Sequence, residues 1–413
     1  MLRLAILLVL ISCLGGCADR QHRNPLDPLT TFVDDSIEAL VVLAGDGEVV
    51  LRWDYSHFTD ISGYQIYRRT VGEGFAENLI EALDREVREF VDAEVENGTT
   101  YEYRLALLIE DEGERFVDLT HRATPGPETA WAVDRTSGFV WKLSPDGRTS
   151  RLSIGRFPSV NGAALDRRSG ALWVSDRFLE GLQVVDSEGE LLEVQADIGE
   201  SGVLSIDADN GLGWVGDNES REVSFFPLES VLDTLELTVV DAHFVEISAL
   251  AARERQCWIA DGESGRVLLY DIERKQVVEF VDLEGFAALA AGLDGRGWIL
   301  VDEGAVLLRL DRDGGMLRLD LPAFSGRELA IDRRTGVCWV VGGSEVAAFD
   351  AQGTLLIQWT GIERGRAVAV DEVQQRVWIA GGDALWKFTM AGEQLVRLGG
   401  FANLQGVEIN PGM

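Results

Sequence analysis

The chain has 413 residues, with 37 Lys and Arg against 70 Asp and Glu, for a formal net charge of −33. It is 46% hydrophobic and 26% charged, which supplies a sizeable core and excludes a mainly disordered chain. So acidic a balance excludes a generally basic nucleic-acid binder, because phosphate contacts need clustered Lys and Arg. It also disfavours docking to anionic headgroups through a polybasic face.

The chain opens with a short positive start, Met1-Leu2-Arg3, and a nearly unbroken apolar run from Leu4 to Leu14. The run is too short to span a bilayer comfortably and has the form of a secretory signal. It ends in Leu14-Gly15-Gly16-Cys17, which resembles the lipobox of bacterial lipoproteins. That resemblance implies cleavage after Gly16, lipidation of Cys17 and a membrane tether, since two or three acyl chains hold firmly where one does not. Ala18, rather than Asp, follows the Cys and points to the outer membrane, facing either the periplasm or the surface. The chain thus divides first into a signal peptide (1–16) and a lipidated Cys with a polar tether (17–37) containing Pro25 and Pro28.

Residues 38–124 read as short strands between turn signals. Val49-Val50-Leu51-Arg52-Trp53 follows the Gly45-Asp46-Gly47 turn, Gly63 to Arg69 alternates with period two, and Asn97-Gly98 feeds the strand starting at Tyr101. The set is similar to a fibronectin type III domain, with Trp53, Tyr64 and Tyr101 in the places of that family's core Trp, third-strand Tyr and tyrosine corner. The resemblance implies a small β-sandwich acting as a spacer or contact module.

Thr124-Pro125-Gly126-Pro127 is a stiff linker, and beyond it a Trp recurs at 131, 173, 214, 258, 298, 339 and 378, at intervals of 42, 41, 44, 40, 41 and 39 residues. This period suits propeller blades and helical HEAT-type repeats alike. The text around each Trp decides for strands. Ala163-Ala164-Leu165-Asp166, a turn and Leu172-Trp173-Val174 return as Leu329-Ala330-Ile331-Asp332 and Cys338-Trp339, and again as Val368-Ala369-Val370-Asp371 and Val377-Trp378. This text resembles the NHL and YVTN families of β-propellers. The expected fold is therefore all-β: a sandwich followed by a seven-bladed propeller over 128–413. The first unit lacks an inner strand, which the C-terminal Gly406-Val407-Glu408-Ile409-Asn410 would supply, closing the ring. The repeat Trp are expected to pack between blades. Cys257 and Cys338, two blades apart, are expected to be buried free thiols.

No Gly-x-Ser-x-Gly elbow, Cys-x-x-Cys pair or Gly-x-x-x-x-Gly-Lys loop occurs, and His243 is the one His of the propeller segment. Asp176, Asp217 and Asp261, each just after a Trp strand, read as turn caps too widely spaced to share an ion. The positions opening each inner strand should face the central channel: Asn161, Gly202, Glu246, Phe286, Arg327, Arg366 and Gln405. Arg327 and Arg366, in adjacent blades, could clamp a carboxylate or phosphate. The expected function is a membrane-anchored, non-catalytic binding or scaffold module of the cell envelope, with a protein or envelope-component partner, no nucleic acid, and no cofactor or metal. The alternative is a channel-mouth enzyme resembling gluconolactonases or streptogramin lyases, for which Glu246, Asn161 and Gln405 are the nearest analogues.

Overall fold

The computed structural model describes residues 40–410, apart from 56–57, 59, 73–77, 111–112, 118–119, 127–129, 149, 156, 180, 188, 195–197, 199–200, 231–234, 236, 241, 282 and 322–323. The expected signal, the expected lipidation site Cys17 and the expected tether therefore lie outside the described residues. Among the described residues the chain is strand and turn with a few single 3-10 turns, and no helix is long and apolar enough to cross a membrane.

The first eight strands form two antiparallel sheets. Val41–Ala44, Val49–Arg52 and Glu89–Asp92 make one; Ile61–Thr70 and Tyr101–Ile109 centre the other. Period-two alternation sends Val49, Leu51, Tyr64, Ile66, Tyr103 and Leu105 into one shared core. Trp53 lies there with its ring 5.4 Å from that of Tyr64. Asn97-Gly98 turns the chain with Gly98 at φ +82°, where a Cβ would be strained, and the Tyr101 hydroxyl accepts the Glu96 N–H at 2.9 Å, pinning the turn to the strand that follows. Beneath it, Asp92 accepts hydrogen bonds from Tyr103 at 2.8 Å and Arg68 at 2.7 Å, so this buried carboxylate is fully occupied.

From Ala130 onwards each strand bearing a repeat Trp is paired on both sides, that of Trp131 with Gln394–Ile409 and Phe139–Leu143, every later one with the strand before it and the strand after it, giving sheets such as Val160–Asp166, Ala171–Asp176, Leu182–Val185, Leu191–Val194. The first strands of successive sheets touch in order, from Val160–Asp166 through Ser201–Asp207, Ile247–Arg253, Ala288–Ala291, Glu328–Ile331 and Ala367–Asp371 to Gln394–Ile409, which returns to Val160–Asp166. Hydrophobic clusters lie between consecutive sheets and hold the repeat Trp from Trp131 to Trp339, among them Trp173 with Phe226 and Trp258 with Ile299. Gly297 is required under Trp258, since a Cβ there would stand 2.7 Å from the indole. Cys257 and Cys338 are buried free thiols, and burial pushes both thiol pKa values up.

The long last strand, Gln394–Ile409, bends at Leu404/Gly406 and serves two neighbours. Its first part pairs with Arg376–Thr389, and Leu404 to Ile409 pair antiparallel with Asp134 to Ala130. Asp134 secures the join: one carboxylate oxygen accepts the Ala402 and Asn403 amides at 2.8 and 3.0 Å, the other the Thr136 and Ser137 amides at 3.0 and 3.1 Å. Amide bonds to a buried carboxylate contribute roughly 1.5–3 kcal/mol each. Asp134→Ala is expected to lower stability by about 3 kcal/mol in urea unfolding, against less than about 0.5 for the exposed turn residue Asp313→Ala. Equal, small losses would show that the join does not depend on this carboxylate.

Candidate functional site

The ring of first strands encloses a cavity of about 420 Å³. Its wall includes many small side chains, among them Ala163, Ala251, Ala290, Ala369, Ser205 and Ser248, which leave room along the axis. Charge enters this lining at six places: Arg135, Arg167, Arg253 and Arg333 as cations, and Glu328 and Glu408 as carboxyls. In a chain of net charge −33 this is a local reversal of sign.

The strand starts and strand ends form two rims. Near the starts, Arg135 donates to the Asn161 carbonyl at 3.0 Å and faces Glu328, whose Oε1 accepts the Leu329 amide at 3.0 Å. Burial lowers the Arg135 pKa, with the Glu328 charge opposing it. Near the ends, Arg167 pairs with Glu372 at 2.7 Å, and Arg253 donates a long 3.5 Å contact to the Arg333 carbonyl. Confinement within the ring raises Glu328 to about 7 against the pull of Arg135, and raises Glu408 to about 7 against Arg167 and Arg333. Arg333 is pushed down to about 10, by burial and then by its like-charged neighbours Arg167 and Arg253.

Of the residues expected at the mouth, Asn161, Phe286 and Gln405 line this cavity. Glu246, Arg327 and Arg366 do not: Glu246 and Arg327 are exposed, and Arg366 is half-buried. Glu246 is held by its backbone, its amide donating to Asp261 at 3.0 Å. Arg327 and Arg366 open their strands through amides donated to Val341 and Ala380. Gly202 lies outside the lining, and its carbonyl accepts the Ser175 hydroxyl. Asp176 and Asp261 accept amides of the loops entering the inner strands (Ser159; Val245 and Glu246), and Asp217 caps its own turn through Glu219 and Ser220. Among the described residues, no three His, Cys, Asp or Glu stand close enough to hold a metal ion.

The charged lining was missed by counting from the strand starts. Its signal was nevertheless present: Asp166-Arg167-Arg168 and Asp332-Arg333-Arg334 repeat the same triplet at the strand ends, and Glu408 interrupts an apolar strand between Val407 and Ile409. An unfolded Glu titrates near about 4.3, so between that value and 7 the folded chain holds protons that the unfolded chain has released. The stability from these two groups is therefore fully present below about pH 4.3 and is lost as pH rises through 7. A Glu328→Gln/Glu408→Gln variant is expected to gain a few degrees of thermal midpoint over the parent between pH 5.5 and pH 8. A parent–variant difference independent of pH would contradict the assignment.

No family model matches the chain, and no curated protein sequence matches it. Solved structures do match it. A functionally unknown protein from Desulfotomaculum acetoxidans is 13% identical with a TM-score of 0.58, covering 69% of this chain and 100% of its own. A protein from Lactobacillus plantarum is 15% identical with a TM-score of 0.52, covering 68% and 99%. Catalytically inactive virginiamycin B lyase from Staphylococcus aureus, solved with quinupristin, is 12% identical with a TM-score of 0.51, covering 60% and 87%. At these identities the likeness is one of fold: the chain carries a β-propeller.

Proposed function

We propose that the chain is a lipid-anchored bacterial envelope protein that binds a partner or envelope component, without catalysis, through the channel of its propeller. In this reading Cys17 carries the lipid after removal of residues 1–16, residues 17–37 are the tether, and the anchor lies in the outer membrane. Residues 38–124 are a fibronectin type III module, a reading supported by the Trp53–Tyr64 core and the Tyr101–Glu96 corner. Residues 128–413 are a seven-bladed propeller closed by the C-terminal strand, a reading supported by the paired strands around seven repeat Trp and by the 404–409 pairing.

The observation that carries the binding reading is the open cavity with charged groups converging on it, the usual form of a ligand site. Glu246, on which an enzymatic reading would lean, is exposed and outside the cavity lining. The fold alone decides nothing about activity, because propellers host many functions.

Two measurements test the proposal. Mass spectrometry of the mature chain is expected to find an acylated Cys17, and Cys17→Ser to leave the membrane fraction; a Cys17→Ser chain still bound to membranes would end the lipoprotein reading. The Cys17→Ser chain, immobilised, is expected to retain a component of envelope extract, and Ser248→Trp, which places an indole in the cavity lined by Ser248, to cut recovery at least tenfold with an unchanged thermal midpoint. Full recovery by Ser248→Trp would remove the channel as the binding site.

A further inference from the structure

We propose that Arg167, Arg253 and Arg333 form an oxyanion site at one end of the propeller channel, built to take the phosphate group of a phosphorylated ligand. The inference rests on the channel-binding reading and adds the ligand's chemical class. All three guanidinium groups belong to inner-strand ends and line the cavity. Arg167 and Arg333 follow Asp166 and Asp332, whose carboxylates are occupied by the turn amides of Arg168 at 3.1 Å and of Arg334 and Thr335 at 2.9 Å. Those Asp are thus engaged in their turns and do not neutralise the arginines beside them.

Three like charges close together are costly without a counter-ion. The acids around them compensate unevenly. Glu372 pairs closely with Arg167. Asp209 and Glu254 stand 3.6 and 3.8 Å from Arg333 and Arg253, are exposed themselves, and Glu254 also pairs with Arg312 at 3.0 Å. Exposed partners of this kind are screened and contribute little. Arg253 is the most enclosed of the three, its side chain 12% exposed, and its Nε and Nη1 are buried with no hydrogen-bond partner. Unmet buried donors carry a desolvation cost that an incoming oxyanion removes. Guanidinium groups match phosphate oxygens in geometry as well as charge.

Glu408, in the same part of the channel, faces Arg167 and Arg333 with Glu328 beyond it, and Glu328 in turn faces Arg135. Both carboxyls titrate near 7, so the channel grows more positive as pH falls from 8 to 6, and anion binding strengthens in that direction.

Isothermal titration of the Cys17→Ser chain with inorganic pyrophosphate at low salt tests the site. The parent is expected to bind, Arg253→Gln and Arg333→Gln to weaken binding at least tenfold, and Arg253→Gln to keep or raise the thermal midpoint, because it removes a like charge whose donors are unmet. Arg327→Gln/Arg366→Gln, at the opposite rim, should bind as the parent does. Sulfate, whose charge is constant over this range, should bind several-fold more tightly at pH 6 than at pH 8. No pyrophosphate binding by the parent, parent-like binding by both Arg253→Gln and Arg333→Gln, or loss in the opposite-rim variant would each overturn the proposal. The two readings fail separately. Pyrophosphate binding through Arg253 with full envelope recovery by Ser248→Trp would keep the anion site and end channel capture. Blocked recovery without any pyrophosphate binding would do the reverse.

Discussion

The join between Leu404–Ile409 and Ala130–Asp134 is the contact on which the propeller depends. A row of sheets that stops short leaves two open edges and no enclosed space. By pairing the end of the chain with the beginning of the repeat, the structure turns a row into a circuit in which every first strand has two neighbours. The cavity exists only because that circuit is complete. Asp134 binds both the arriving loop and its own turn, so the local turn and the long-range closure share one carboxylate.

Between the sheets, the indoles do the packing. Two of them lie on a glycine that makes room: Trp258 over Gly297, and Trp378 over Gly147 across the closing interface. At that interface Lys387 is buried, its ammonium 4.7 Å above the Trp378 ring and donating to the Pro145 carbonyl at 3.1 Å. Burial lowers its pKa to about 8. The closing interface therefore holds a buried cation among its apolar contacts.

Charge is distributed against the average. The chain as a whole is strongly acidic, which keeps the surface soluble and mutually repulsive. Inside the ring the lining carries four arginines and two carboxyls. The lining thus carries more cations than carboxyls in a chain whose overall balance is the reverse.

Much of this was legible in the sequence. The Trp period, the strand text around it, the free buried cysteines and the candidate closing strand all follow from local pattern, because period-two alternation and turn residues act over a few positions. So does the place of Asn161, Phe286 and Gln405 along the cavity wall. What local pattern could not decide was which charged side chains converge. Arg167, Arg253 and Arg333 are separated by 86 and 80 residues, and their nearness comes from the closed ring, not from any spacing along the chain. Likewise Arg327 and Arg366 open their strands as the count predicts, yet lie outside the cavity lining, because a position on a strand sets its place on the rim and not the reach of its side chain. The sequence by itself determined the strands, their repeat and their turns. Only the tertiary structure decided which ends of those strands carry the charged site, since that depends on how the sheets surround a common axis.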